Sequence, residues 1–329
     1  MSADQEGEGE RPHVRPLSLR DAEPSDRGEV SKAPVNWRAA LRFAGFLTLI
    51  VGALMFVDTS QIKDHLARMS WDTLALMTGL HVLIILLTAW RFSHIAHVAG
   101  ATISTLAANR LTFASTLANL LLPTSLAGDA GRVVLVRRYG LSLKAALAVG
   151  VFDRVIGLAS LGAVVLFGTL IAPALLPLWG GAAIIGACLA LTGFILIRSR
   201  NSGGIFAGSR SQIARVMLVT VALSIAAHSV SVLIAFAFLQ DQPVNVGIGA
   251  LSILFPVVLL AASIPVSVGG WGTREIAAAG AFGTIGVEPS IAIAMAFMFG
   301  VTQTFAAGLG TVILALYGML QAKADRTNV

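Results

Sequence analysis

Six stretches of this chain stay apolar for about the 20 residues that a helix needs to cross a bilayer core. They are residues 39–57, 73–90, 145–171, 178–197, 215–239 and 289–318. A soluble fold would have to cover all of them with polar surface. Charged residues make up only 12% of the sequence, against about 25% in soluble domains. An ordinary soluble enzyme is therefore excluded, and an all-α polytopic membrane protein is expected.

Two further apolar stretches do not fit a simple crossing. Residues 103–136 are interrupted by LLPTSLAGDAGR and residues 247–286 by SIPVSVGGWGTRE. Each interruption holds Pro, Gly and an arginine. Lys and Arg collect in cytoplasmic loops, which tests how these stretches sit. Lys32, Arg38 and Arg42 precede the first span, Arg91 and Arg110 follow the second, and Arg137, Arg138 and Lys144 precede the third. All of these belong on the inner side only if 103–136 enters and returns on one face. The same reasoning makes 247–286 a second hairpin from the opposite face. On this assignment 14 Lys and Arg lie on inner loops or flanks and two, Lys63 and Arg68, on an outer one. The expected architecture is six full spans plus two re-entrant helical hairpins, with both termini cytoplasmic and the chain in a bacterial inner membrane.

Residues 1–36 are rich in Glu, Asp, Arg, Pro, Ser and Gly and cannot bury enough apolar surface to order themselves. They are expected to be a disordered cytoplasmic tail. The transmembrane domain follows over 37–320, and 321–329 form a second cytoplasmic tail. After residue 42 the chain carries 16 Lys and Arg against nine acids. That excess marks inner loops and contacts with anionic lipid rather than a nucleic-acid partner. Cys188 is the single cysteine, so neither an internal disulfide nor a cysteine metal cluster can form.

The two interruptions share a pattern. Pro123, Ser125, Gly128 and Arg132 recur as Pro265, Ser267, Gly270 and Arg274, at a constant offset of 142 residues. The offset also relates the long apolar stretches that follow. Two halves, about 39–171 and 178–318, then each contain two spans, a hairpin and a long span. Three crossings per half invert one half relative to the other, an arrangement found in many secondary transporters. Non-helical backbone cannot face lipid, because its unpaired amides cost several kcal/mol each. The interruptions therefore belong inside protein or beside a wet cavity, with their tips near mid-membrane. Gly269 and Gly272 lie in the second turn beside Gly270, where a tight turn or close approach to a ligand is required.

Six charges lie within apolar segments: Asp129, Arg132, Asp153, Arg154, Arg274 and Glu275. A centred Arg or Asp costs about 2.5–3.5 kcal/mol on insertion scales, so each needs compensation. Asp129 and Arg132, three residues apart, share a helix face and are expected to pair. Asp153 and Arg154 are adjacent, point apart, and are expected to seek different partners; Arg274 and Glu275 are expected to do likewise. Two readings stand side by side. In one, the six form internal ion pairs that lock hairpins to helices. In the other, Arg132, Arg154 and Arg274 bind a phosphate-bearing head group, since the guanidinium fork donates bidentately to phosphate, and the acids moderate affinity or carry a coupling proton. His81 and His228 are read as hydrogen-bonded packing residues, His94 and His97 as interfacial, and Asn109 and Asn119 as hydrogen-bond partners of the first hairpin. No phosphate-binding loop, HExxH, cysteine–histidine cluster or GxSxG is present. No cofactor, metal or catalytic residue is expected.

At LLPTSLAGDAGRVVLVRRYG and IPVSVGGWGTREI the chain resembles the transmembrane region of lysylphosphatidylglycerol synthases, a flippase-like family. Pro123, Gly128, Asp129 and Arg132 match one signature of that family, Asp153-Arg154 a second, and Pro265, Gly269, Gly270, Gly272, Arg274 and Glu275 a third. The resemblance covers roughly 40–320 and implies lipid translocation. The soluble aminoacyl-transfer domain has no counterpart, so lysyl-lipid synthesis is not expected. The leading expectation is a flippase for a polar- or phosphate-headed lipid, with anionic membrane lipids as partners. A membrane-embedded lipid or polyprenyl transferase, and an accessory scaffold for envelope-lipid biosynthesis proteins, are the alternatives.

Overall fold

Serine caps open three of the long elements. In the computed structural model, which describes residues 59–122, 126–176, 182–183, 186, 210–264, 267 and 269–327, the hydroxyls of Ser70, Ser104 and Ser142 accept the backbone N–H of Thr73, Ala107 and Ala145 at 3.0, 3.2 and 3.2 Å. Each satisfies a donor that the first helical turn leaves open. The elements are α1 Thr59–Arg68, α2 Trp71–Val98, α3 Thr105–Leu121, α4 Ala127–Val136, α5 Leu143–Ile171, α6 Arg210–Gln240, α7 Ile248–Ser263, α8 Thr273–Gly283 and α9 Pro289–Thr327. Among the described residues every regular element is helical.

Four helices are long and apolar enough to cross a membrane: α2, α5, α6 and α9. They coincide with the expected spans 73–90, 145–171, 215–239 and 289–318. The expected spans 39–57 and 178–197, and the tail 1–36, lie outside the described residues. At 1.5 Å per residue, α3 and α7 extend about 25 Å and α4 and α8 about 15 Å, each short of a hydrocarbon core of about 30 Å. These four are the arms of the two interrupted stretches.

The 142-residue offset carries through to the elements. Moved on by that distance, Trp71–Val98 covers 213–240, where α6 lies, and Thr105–Leu121 covers 247–263, where α7 lies. The arms α3 and α4 pack on each other, as do α7 and α8. The packing then crosses over. The first arm α3 lies on α9 and the second arm α4 on α5, whereas α7 lies on α5 and α8 on α9. Helices α5 and α9 thus each hold one arm from either interrupted stretch, which brings both turns toward a common centre. Small residues set these distances. Phe113 and Leu117 of α3 lie against Gly310 and Gly308 of α9. The largest buried apolar cluster joins α6 to α9, with Phe238, Phe255, Phe282 and Met295 almost fully enclosed. A second joins α2, α4 and α5 around Phe92, Val149 and Ile156.

Candidate functional site

Both turns end on one cavity of about 300 Å³. The first turn closes tightly because Gly128 has no side chain. A Cβ there would overlap the Ser115 carbonyl of α3. Asn119, near the end of α3, caps α4: its Oδ1 accepts the N–H of Gly128 at 2.7 Å and of Asp129 at 3.3 Å, and its Nδ2 donates to Asp129 Oδ1 at 3.2 Å. The second turn is capped by its own acid, the N–H of Gly272 donating to Glu275 Oε2 at 2.6 Å. Ser267 is buried and its hydroxyl bonds that of Thr273 at 3.0 Å. Gly269, Gly270 and Gly272 all have positive φ, a conformation that glycine takes without penalty. At Gly269 a Cβ would stand 2.7 Å from Leu120 Cα, so the turns of the two hairpins touch. Pro123, Ser125 and Pro265 lie outside the described residues.

Four arginines and two aspartates line the cavity: Arg91, Arg132, Arg154, Arg274, Asp129 and Asp153. Five of them form a continuous chain. Asp153 accepts from Arg91 Nε at 2.7 Å and from Arg132 Nη2 at 2.8 Å. Arg132 Nη2 reaches Asp129 Oδ1 at 3.4 Å, and Asp129 Oδ2 pairs with Arg154. The environment changes along the chain. The side chains of Asp153 and Arg132 are 2% and 5% exposed, whereas Arg154 is 37% exposed. The Asp153 end is a sealed junction between α2, α4 and α5, and the Arg154 end opens to the cavity. Arg132 also lies 4.4 Å above the Phe92 ring, where the ring face attracts a cation.

Arg274 is built differently. Its guanidinium lies 4.8 Å from the Trp271 ring centre and 5.9 Å from that of Phe299. It fits a notch at Gly300 of α9, where a Cβ would overlap it. Its Nε and Nη2 donate to Glu275 Oε1 at 3.3 and 3.1 Å, and its Nη1 makes no hydrogen bond among the described residues. The residue is 2% exposed and lines the cavity.

Two expectations are corrected here. Arg274 and Glu275 do not seek separate partners. Glu275 must turn back to cap the first turn of α8, and the long Arg274 side chain follows it. Arg91 does not belong to an inner loop, because α2 continues through Val98 and carries Arg91 into the protein, 8% exposed. There it binds Asp153 and donates to Ser224 Oγ at 2.9 Å. The continued apolar spacing of Phe92, Ile95 and Val98 after Arg91 was the available signal. The first turns of α4 and α8 already hold Asp129 and Glu275, so helix-terminal charge is answered from within and the cationic character of the cavity rests on the arginines. His228 donates from Nε2 to the Gly157 carbonyl at 2.9 Å, and His81 Nδ1 lies 3.0 Å from the Met77 carbonyl and 3.1 Å from the Thr302 hydroxyl, both packing roles of the expected kind.

No curated protein matches the chain. The described helices and the paired interruptions agree with a single family assignment, whose profile matches residues 40–310. The protein is a multi-pass membrane protein with a lipid-related function, and it belongs to the lysylphosphatidylglycerol synthase TM region family.

Proposed function

We propose that the protein is a flippase that moves a polar- or phosphate-headed lipid between leaflets, the head group occupying the cavity while the acyl chains stay in the bilayer. The observation that carries this reading is the Arg274 guanidinium, held by Trp271, Phe299 and Gly300, whose Nη1 makes no hydrogen bond among the described residues, beside a cavity whose charged lining is four arginines against two aspartates. An anionic head group supplies an acceptor, and Arg154 at the open end of the ion-pair chain is its second contact. Arg132, Asp129 and Asp153 hold the first hairpin in place, and Glu275 holds Arg274. Transport is favoured over catalysis because all three acids are engaged with arginines, leaving none poised as a general base.

The hairpins are re-entrant in this reading, with the remaining two spans supplied by 39–57 and 178–197. The halves form an inverted repeat, supported by the 142-residue offset and by the crossed packing of arms on α5 and α9. Rocking of one half against the other exposes the cavity to each leaflet in turn. The Lys and Arg distribution supports cytoplasmic termini in a bacterial inner membrane.

The test is reconstitution into liposomes carrying NBD-labelled phosphatidylglycerol, with the rate at which label becomes accessible to dithionite as the readout. Wild-type protein is expected to accelerate that rate over empty liposomes. Arg274→Gln is expected to slow it about 10- to 100-fold, the loss of one charge-assisted contact of about 1.5–3 kcal/mol, and Arg274→Lys to retain part of it. Equal rates for wild type and Arg274→Gln would remove the proposed role of Arg274.

A further inference from the structure

Arg110 stands apart from the cavity and has no role in the scheme above. It lies in the second turn of α3, where that helix crosses the last third of α9. Among the described residues its Nε and Nη2 are sequestered from solvent and have no hydrogen-bond partner, and no ion pair involves it. A Cβ at Gly318 would stand 2.9 Å from Nη2, so the guanidinium lies in a notch on α9 that only glycine leaves open. Sequestered guanidinium nitrogens without an acceptor are costly, and nothing among the described residues offsets that cost.

We propose that Arg110 is a binding site for the phosphodiester of an anionic lipid at the α3–α9 crossing, separate from the transport cavity. Two considerations favour a lipid over a soluble anion. The two residues beside Gly318 on α9 present apolar surface outward, Tyr317 48% and Met319 61% exposed, a surface suited to acyl chains. Basic pockets between transmembrane helices are a recurrent form of lipid head-group site. A lipid seated there would tie α3, the first arm of the first hairpin, to α9.

Native mass spectrometry of the delipidated full-length protein, titrated with phosphatidylglycerol, phosphatidylcholine or inorganic phosphate, tests this. Wild type is expected to hold one tightly bound phosphatidylglycerol that Arg110→Gln binds about tenfold more weakly and Arg274→Gln binds as before, which separates this site from the cavity. Gly318→Ala, which pushes the guanidinium out of its notch, is expected to weaken the same binding step about threefold. Unchanged phosphatidylglycerol affinity in both Arg110→Gln and Gly318→Ala would overturn the proposal. So would equal binding of phosphatidylcholine, or displacement of the lipid by an equal concentration of inorganic phosphate.

Discussion

Replacing Asp153 by Asn keeps the shape of the side chain and removes its charge. The carboxylate it replaces receives Arg91 at 2.7 Å and Arg132 at 2.8 Å, and the three side chains are 2%, 9% and 5% exposed. Breaking a buried pair by removing one partner costs about 3–5 kcal/mol, because the surviving charge stays buried and unpaired. Here two guanidinium groups survive, and the new amide turns one N–H donor toward one of them. At about 2 °C per kcal/mol for a domain of this size, the melting temperature in detergent should fall by about 6–10 °C. Asp129→Asn is the internal comparison. Its carboxylate is 20% exposed and Arg154 is 37% exposed, so solvent screens the pair and the expected cost is about 1 kcal/mol. The assay is thermal unfolding of purified protein followed by tryptophan fluorescence. The Arg91→Gln/Asp153→Asn double variant should melt higher than the sum of the single losses implies, since the two changes remove the same contact. A melting temperature for Asp153→Asn within 2 °C of wild type would show that the junction between α2, α4 and α5 does not depend on this charge.

Two further outcomes follow from the turns. Asn119→Ala strips the cap from α4, leaving the N–H groups of Gly128 and Asp129 without their acceptor; a loss of about 1–2 kcal/mol is expected, measured by the same melting experiment. Gly300→Ala places a methyl group on the Arg274 guanidinium and should reproduce the slow lipid movement of Arg274→Gln in liposomes. Unimpaired movement by Gly300→Ala would mean that the Arg274 position is not critical.

Much of the helical organisation was legible in the chain. The long apolar runs and the Pro-Gly interruptions are local signals, and they located α2, α5, α6, α9 and both interrupted stretches to within a few residues at most boundaries. Asp129 with Arg132 was legible too, because three residues on a helix fix their relative direction. Arg91 was misplaced, since a charge next to Trp90 reads as the end of a span unless its partner is known. That partner, Asp153, lies 62 residues away. Gly300 gave no signal, because its importance depends on an arginine approaching from another helix.

Hydropathy and the spacing of breaks along one chain decided that this protein lives in the membrane, that it is helical, and that two interruptions share one pattern. Those properties follow from each segment's own transfer free energy and backbone conformation. Which charges are sealed and which remain available was decided only by tertiary packing. The arms of each hairpin lie on opposite long helices, so Asp153 is enclosed between two guanidinium groups while Arg274 keeps one edge facing the cavity. Whether a buried charge is compensated depends on what stands opposite it in space, and residues far apart in the chain supply that.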